Sequence, residues 1–164
     1  MRSTGEVLGV GRNFHEAMYK GFIAAGTTIP KKDSTILVTV RDLDKDEFLP
    51  IAQKFHRLGC KFVATSGTAK LLEENHIPVQ TAKKISEGVP NVLDVIRSGM
   101  IDLIIDIPKK GGNTNSDGFK IRRTAIECSV SIMTSLDTVK AMAQVMERSF
   151  SPDTVDVISL SDIK

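Results

Sequence analysis

Ile101-Asp102-Leu103-Ile104-Ile105-Asp106-Ile107 is an almost wholly apolar run, too short to cross a bilayer and stopped by Pro108. Four more runs of the same kind recur: Ile36-Leu37-Val38-Thr39-Val40, Phe62 to Thr65, Ile77-Pro78-Val79-Gln80, and Ser131-Ile132-Met133-Thr134. Strands that are apolar on both sides are found where both faces of a sheet are covered. That is the condition of a parallel sheet flanked by helices. Helical patterns fall between them. Asp44 or Asp46 caps a helix through Phe48, Ile51, Ala52, Phe55 and Leu58, stopped by Gly59, with Pro50 near its first turn. A second helix runs from Thr68 to Glu74, and a short third carries Val92, Leu93, Val95 and Ile96 up to Gly99. A fourth spans Phe119 to Cys128, and the last carries Leu136, Val139, Ala143, Val145 and Met146. Five alternations of strand and helix predict a three-layer α/β/α fold on a five-stranded parallel sheet.

Right-handed crossovers put every strand C-terminus on one edge of such a sheet, where ligands bind. The edge collects hydroxyls from Thr39, Thr65, Ser66, Thr68 and Thr134 and ammonium groups from Lys45 and Lys84. The Ala64-Thr65-Ser66-Gly67-Thr68-Ala69 turn has the parts of a phosphate seat: hydroxyls, a glycine that permits close approach, and a helix start with free N–H groups. The same residues serve equally as a hydroxyl-capped helix start, in which Ser or Thr binds only its own backbone. Each lysine alone is an ordinary solvated loop charge. Two of them beside this turn suit an anion, most naturally a phosphate.

The remaining polar residues point to no bond-making chemistry. Arg122 and Arg123 sit about 100° apart on their helix, so they do not both face one anion. One reaches a carboxylate or anchors the preceding loop, and the other is exposed. His15, His56 and His76 read as structural. There is no nucleophile elbow, no metal-spaced His/Cys set and no paired carboxylate in a glycine-rich loop, so neither a catalytic nor a metal residue is assigned. Cys60 and Cys128 read as buried thiols in a reducing compartment. A net charge of +2 gives no call for nucleic acid or a membrane surface, and no secretory signal is visible. The chain reads as cytoplasmic.

Residues 1–30 differ from the rest. Ser3 to Gly11 is a glycine-broken strand or loop. Asn13 caps a helix in which Phe14, Ala17, Met18, Phe22 and Ala25 recur up to Gly26, with Glu16 as a capping-box partner. This segment has no sheet of its own to join, reads as a cut piece of something larger, and is expected to pack poorly or as an add-on. Lys109 to Gly118 reads as a flexible loop, and the polar residues after Phe150 as frayed or packed late.

Several local sequences occur in one order: Ser3-Thr4-Gly5-Glu6-Val7, the Ala64–Ala69 turn, Lys84 to Gly88, Ile121-Arg122-Arg123-Thr124-Ala125, and Leu136 after Thr134-Ser135. Together they resemble the C-terminal end of carbamoyl-phosphate synthase large subunits. The resemblance implies that residues 1–30 end the preceding ATP-grasp synthetic unit and that 31–164 form a methylglyoxal-synthase-like allosteric domain with strand order 3-2-1-4-5. It implies a regulatory domain that binds a nucleotide effector such as UMP or IMP, with no cofactor of its own. The parent ligase would use glutamine, bicarbonate, ATP and Mg or Mn to make carbamoyl phosphate for pyrimidines and arginine, with a glutaminase small subunit as partner. On the resemblance, Thr39, Lys45, Thr65, Thr68 and Lys84 match nucleotide-phosphate contacts and Thr134 matches an ornithine contact. Asp106 and Pro108 stand where nucleotide-responsive members have Asn and Thr, and Ile132 replaces a tyrosine. Asp106 brings a negative charge near the phosphate seat. Two other readings share the fold. A methylglyoxal synthase needs a carboxylate base in a Gly-Gly-Asp loop, and the matching loop here, Ser86 to Pro90, has no Asp. An N-acetylglutamate-responsive domain would use the same edge.

Overall fold

A computed structural model describes residues 6–108, 116–159 and 161 of the protein. The Ser3-Thr4-Gly5 motif and Lys109 lie outside the described residues. Five strands form one sheet: β1 (Thr35–Val40), β2 (Lys61–Thr65), β3 (Val79–Ala82), β4 (Leu103–Ile107) and β5 (Ser131–Met133). Every neighbouring pair is parallel and the order is β3-β2-β1-β4-β5. The chain thus winds from β1 outward to β3, crosses back to β4 and continues to β5. The crevice between the ends of β1 and β4 is the switch point, where the loops leave in opposite directions.

The helices are α1 (Phe14–Ala24), α2 (Lys45–Arg57), α3 (Ser66–Glu74), α4 (Val92–Arg97), α5 (Asp117–Glu127) and α6 (Leu136–Glu147). Alternation along each strand sends side chains to opposite faces. Ile36, Val38, Phe62, Ala64, Leu103 and Ile105 meet α1, α2, α3 and α6 in the larger core. Leu37, Val63, Ala82 and Ile104 meet α4 and α5 in the smaller one. This gives the three layers. In α2, Phe48, Ile51, Ala52 and Phe55 form the inward stripe, and the two phenylalanines are fully buried. Each contributes roughly 1.5–3 kcal/mol through burial.

Some boundaries differ from the sequence reading. α2 begins at Lys45, which places Pro50 in the second turn, where it has no N–H to offer the carbonyl of Asp46. α3 begins at Ser66 and not Thr68, and α5 at Asp117, with Ser116 accepting the Phe119 N–H as its N-cap. Ser116 to Gly118 are therefore a helix start and not loop; residues 109–115 lie outside the described residues. Pro78 precedes β3 and so costs the ladder nothing. Cys60 is buried, which pushes its thiol up to about 11, but Cys128 is exposed at the end of α5.

Residues 6–11 form no strand. α1 is not loosely attached: it packs on α6, and Tyr19 and Phe22 enter the larger core. Phe14, expected inside, is 59% exposed; the inward face is Glu16, Tyr19 and Phe22. The C-terminal tail explains the choice. Phe150 lies on Tyr19 at 5.5 Å between ring centroids, and Asp156 takes an ion pair from Arg12 at 2.9 Å. The Asn13 cap is present, its side chain accepting the Glu16 N–H, while the buried Glu16 carboxylate accepts the Arg12 N–H and pairs with Lys20 at 2.7 Å. Among the described residues no helix is long and apolar enough to cross a membrane.

Candidate functional site: an anion seat at the sheet switch point

The strand ends build the site as a row. Val38 pairs with Ala64, so Thr39 and Thr65 are level; Thr39 pairs directly with Asp106, and Thr65 with Ala82. One step beyond the Ile105–Met133 pair, Thr134 is level with Asp106. Period-2 alternation then places Thr65, Thr39 and Asp106 on the α4–α5 face, above Val63, Leu37 and Ile104. A cavity of about 450 Å³ opens over this row, lined by Thr39, Thr65, Lys84, Asp106 and Arg122 together with the first turn of α5. That volume holds a small organic molecule, not merely an inorganic ion.

At one end lies the start of α3. Thr65 is its N-cap, yet its side chain makes no capping bond, so the hydroxyl-capped alternative is not what the structure holds. The N–H groups of Ser66, Gly67 and Thr68 open the helix and have no intrahelical acceptor. They carry the positive end of the helix dipole. Gly67 does not take a positive φ. Its contribution is space: a Cβ there would stand 3.4 Å from the Lys45 ammonium, which reaches over the helix start. Lys45 is held meanwhile by Asp42 at 2.7 Å, an aspartate whose side chain is 88% exposed. Thr68 does something different from the hydroxyl contact expected of it. Its side chain is buried and bonds the backbone of Val40, accepting from the N–H at 3.2 Å and donating to the carbonyl at 3.4 Å. Its own backbone N–H is one of those that open α3.

Lys84 enters from the loop after β3. Its N–H donates to the Glu87 carboxylate at 2.8 Å, and its ammonium lines the cavity with no ion-pair partner among the described residues. Arg41, also at the rim, is tied to Asp44. Thr134 is exposed and does not line the cavity.

At the other end lies Asp106. All of β4 is buried, so this carboxylate is only 2% exposed. Burial raises its pKa above the ordinary carboxylate range, and the Thr39 hydroxyl and Arg122 guanidinium pull it back. Thr39 donates to Oδ1 at 2.7 Å and Arg122 to Oδ2 at 2.9 Å. Of the two adjacent arginines, Arg122 thus takes the carboxylate, and Arg123 is exposed and paired with Glu127. The wall formed by Asp117 and Gly118 was not legible as site from the sequence. The Ser116 N-cap three residues before Phe119 was the available signal. Among the described residues no group of three His, Cys, Asp or Glu side chains is placed to hold a metal.

Comparison with known proteins agrees with this architecture. The chain resembles the crystal structure of methylglyoxal synthase from Elizabethkingia anophelis NUHP1, with a TM-score of 0.57, 21% identity, and coverage of 69% of this chain and 78% of that one. It is 49% identical over 162 residues to the carbamoyl phosphate synthase large chain of Clostridium botulinum (strain Loch Maree / Type A3), which covers 99% of this chain and 15% of the relative. It is 45% identical over 160 residues to the corresponding large chain of Clostridium perfringens (strain 13 / Type A), again 15% of that protein's length. The chain therefore spans about 15% of the length of these relatives. The model of the MGS-like domain matches residues 47–134, more than half of the sequence, and the chain belongs to the MGS-like domain family.

Proposed function

We propose that this chain is the effector-binding regulatory module of a carbamoyl phosphate synthase large chain, and that it seats the phosphate of a nucleotide such as UMP or IMP. The observation that carries the reading is the α3 start. Three backbone N–H groups open α3 directly after Thr65, and Thr65 and Lys84, whose ammonium has no ion-pair partner among the described residues, both line a ligand-sized cavity. Thr39 lines the same cavity, and Lys45 reaches over the α3 start without lining the cavity. The 49% identity to a carbamoyl phosphate synthase large chain supports the assignment of the parent enzyme. That parent is read as a cytoplasmic glutamine-hydrolysing ligase. It uses ATP with Mg or Mn, works with a glutaminase small subunit, and serves pyrimidine and arginine synthesis. Residues 1–30 are read as the end of its preceding ATP-grasp unit. A module of this kind acts by binding its effector differently in two states of the parent, and the coupling is reciprocal.

Calorimetric titration of the chain with UMP, IMP and N-acetylglutamate tests the reading. Saturable nucleotide binding that inorganic phosphate competes away is expected. Binding of N-acetylglutamate alone, or nucleotide binding that phosphate leaves untouched, would overturn it.

A further inference from the structure

The cavity reaches well beyond the anion seat. Thr65, Thr39 and Asp106 are level on three successive strands. Two strand spacings separate the first from the last, about 10 Å. A phosphate held at the start of α3 therefore sits two strands from the end of β4 and from Arg122 on α5, and a ligand that meets both ends is longer than the phosphate alone. The pair is fixed. Asp106 is buried and gripped by Thr39 and Arg122, and Arg122 is half-buried in the cavity wall. The first turn of α5 closes tightly over it: a Cβ on Gly118 would stand 3.1 Å from Arg122 Nη1 and 3.2 Å from Asp106 Oδ2.

The pair also has capacity left. An ionised carboxylate offers about four acceptor positions and a guanidinium five N–H donors. Thr39 and Arg122 occupy two of the former, and Asp106 takes one of the latter. What it shows to the cavity is an acceptor and a donor side by side, with their charges cancelling. A second anionic group at this end would meet a carboxylate that cannot withdraw and an arginine already committed to it. A neutral group with adjacent N–H and C=O or ring nitrogen meets partners for both.

We infer that the Asp106–Arg122 pair is the second half of the ligand site: it reads a neutral donor–acceptor edge, such as that of a nucleobase, and refuses a second anion. This deepens the reading above and rests on it. The alternative is a strut that only ties β4 to α5.

The test uses four probes on the chain: UMP, IMP, ribose 5-phosphate and ribose 1,5-bisphosphate, titrated by calorimetry at fixed ionic strength. The wild type is expected to bind UMP and IMP roughly tenfold or more tighter than ribose 5-phosphate, the size of one charge-assisted hydrogen bond. The bisphosphate should gain nothing over ribose 5-phosphate. Arg122→Met, and the milder Gly118→Ala, should bring UMP close to the ribose 5-phosphate level while ribose 5-phosphate itself shifts less than about twofold. Asp106→Asn should admit the bisphosphate by freeing Arg122. Ribose 5-phosphate affinity doubles as the control for folding in each variant. If the wild type binds ribose 5-phosphate as tightly as UMP, or Gly118→Ala weakens both equally, the pair is a strut and this inference fails while the anion seat stands. If the wild type binds no probe, the seat fails and this inference falls with it.

Discussion

Lys84→Ala is the sharpest probe of the anion seat, because Lys84 lines the cavity with its charge uncommitted among the described residues. A charge-assisted contact is worth roughly 1.5–3 kcal/mol net, so its loss should weaken UMP binding about tenfold to a hundredfold. Lys45→Ala should cost less. On binding, Lys45 gives up its pair with the 88% exposed Asp42. Such surface pairs are worth about 0–1 kcal/mol, and taking the middle of that range, about 0.5 kcal/mol, leaves a loss of roughly fivefold to seventyfold. Lys61→Ala is the control of equal charge. Lys61 opens β2 while Thr65 closes it, and its ammonium is exposed and paired with Asp33 at 3.0 Å. Four residues of strand separate it from the seat by about 13 Å. At that distance in water a unit charge is worth about 0.3 kcal/mol. A screening length of about 8 Å at physiological salt reduces this to below 0.1 kcal/mol. Calorimetric UMP affinities of the three variants and wild type at matched ionic strength are the assay. A loss at Lys61 comparable with that at Lys84 would mean a diffuse positive field and no localised seat.

Two further outcomes concern the scaffold. Thr68→Val keeps the shape but removes the acceptor of the buried Val40 N–H, and urea unfolding should show a loss of about 1–3 kcal/mol that Thr68→Ser largely avoids. Lys20 first, and then the Arg12 N–H, hold the Glu16 carboxyl below its ordinary 4.5, against a smaller opposing effect of burial. A carboxyl depressed in the folded state stabilises above its unfolded value and loses that contribution as pH falls through the folded one. The melting-temperature gap between wild type and Glu16→Gln should therefore be full at neutral pH and close below about pH 4.5; a constant gap would refute the assignment.

The features that could be read from the sequence share a physical cause. Strands buried on both faces must be apolar at almost every position, so the cores of β1, β2 and β4 stand out, and their period-2 alternation places Thr39, Thr65 and Asp106 on one face. Helix starts are harder. α3 and α5 open with Ser66-Gly67-Thr68 and Asp117-Gly118, small or polar residues with no apolar repeat to announce them. α1 shows a further limit. Its spacing permits an inward Phe14, but which face turns in is settled by Phe150 and Asp156, which arrive from the far end of the chain.

The same distinction divides the site. The anion seat is contiguous: one strand end, one helix start, and backbone N–H groups whose direction follows from the helix itself. Only the cations come from elsewhere: Lys84 from the loop after β3 and Lys45 from the first residue of α2. The other end is assembled across the fold. Thr39 and Asp106 are 67 positions apart and are joined by strand register; Arg122 is 16 positions beyond Asp106 and arrives on a helix. Viewed alone, Asp106 is a negative charge beside a phosphate seat and argues against an anionic ligand. With Arg122 and Thr39 in place its charge is balanced, and the strand spacing puts it about 10 Å from Thr65. A departure from the family pattern that reads as an obstacle in one dimension is, in three, compatible with a ligand that is charged at one end and neutral at the other.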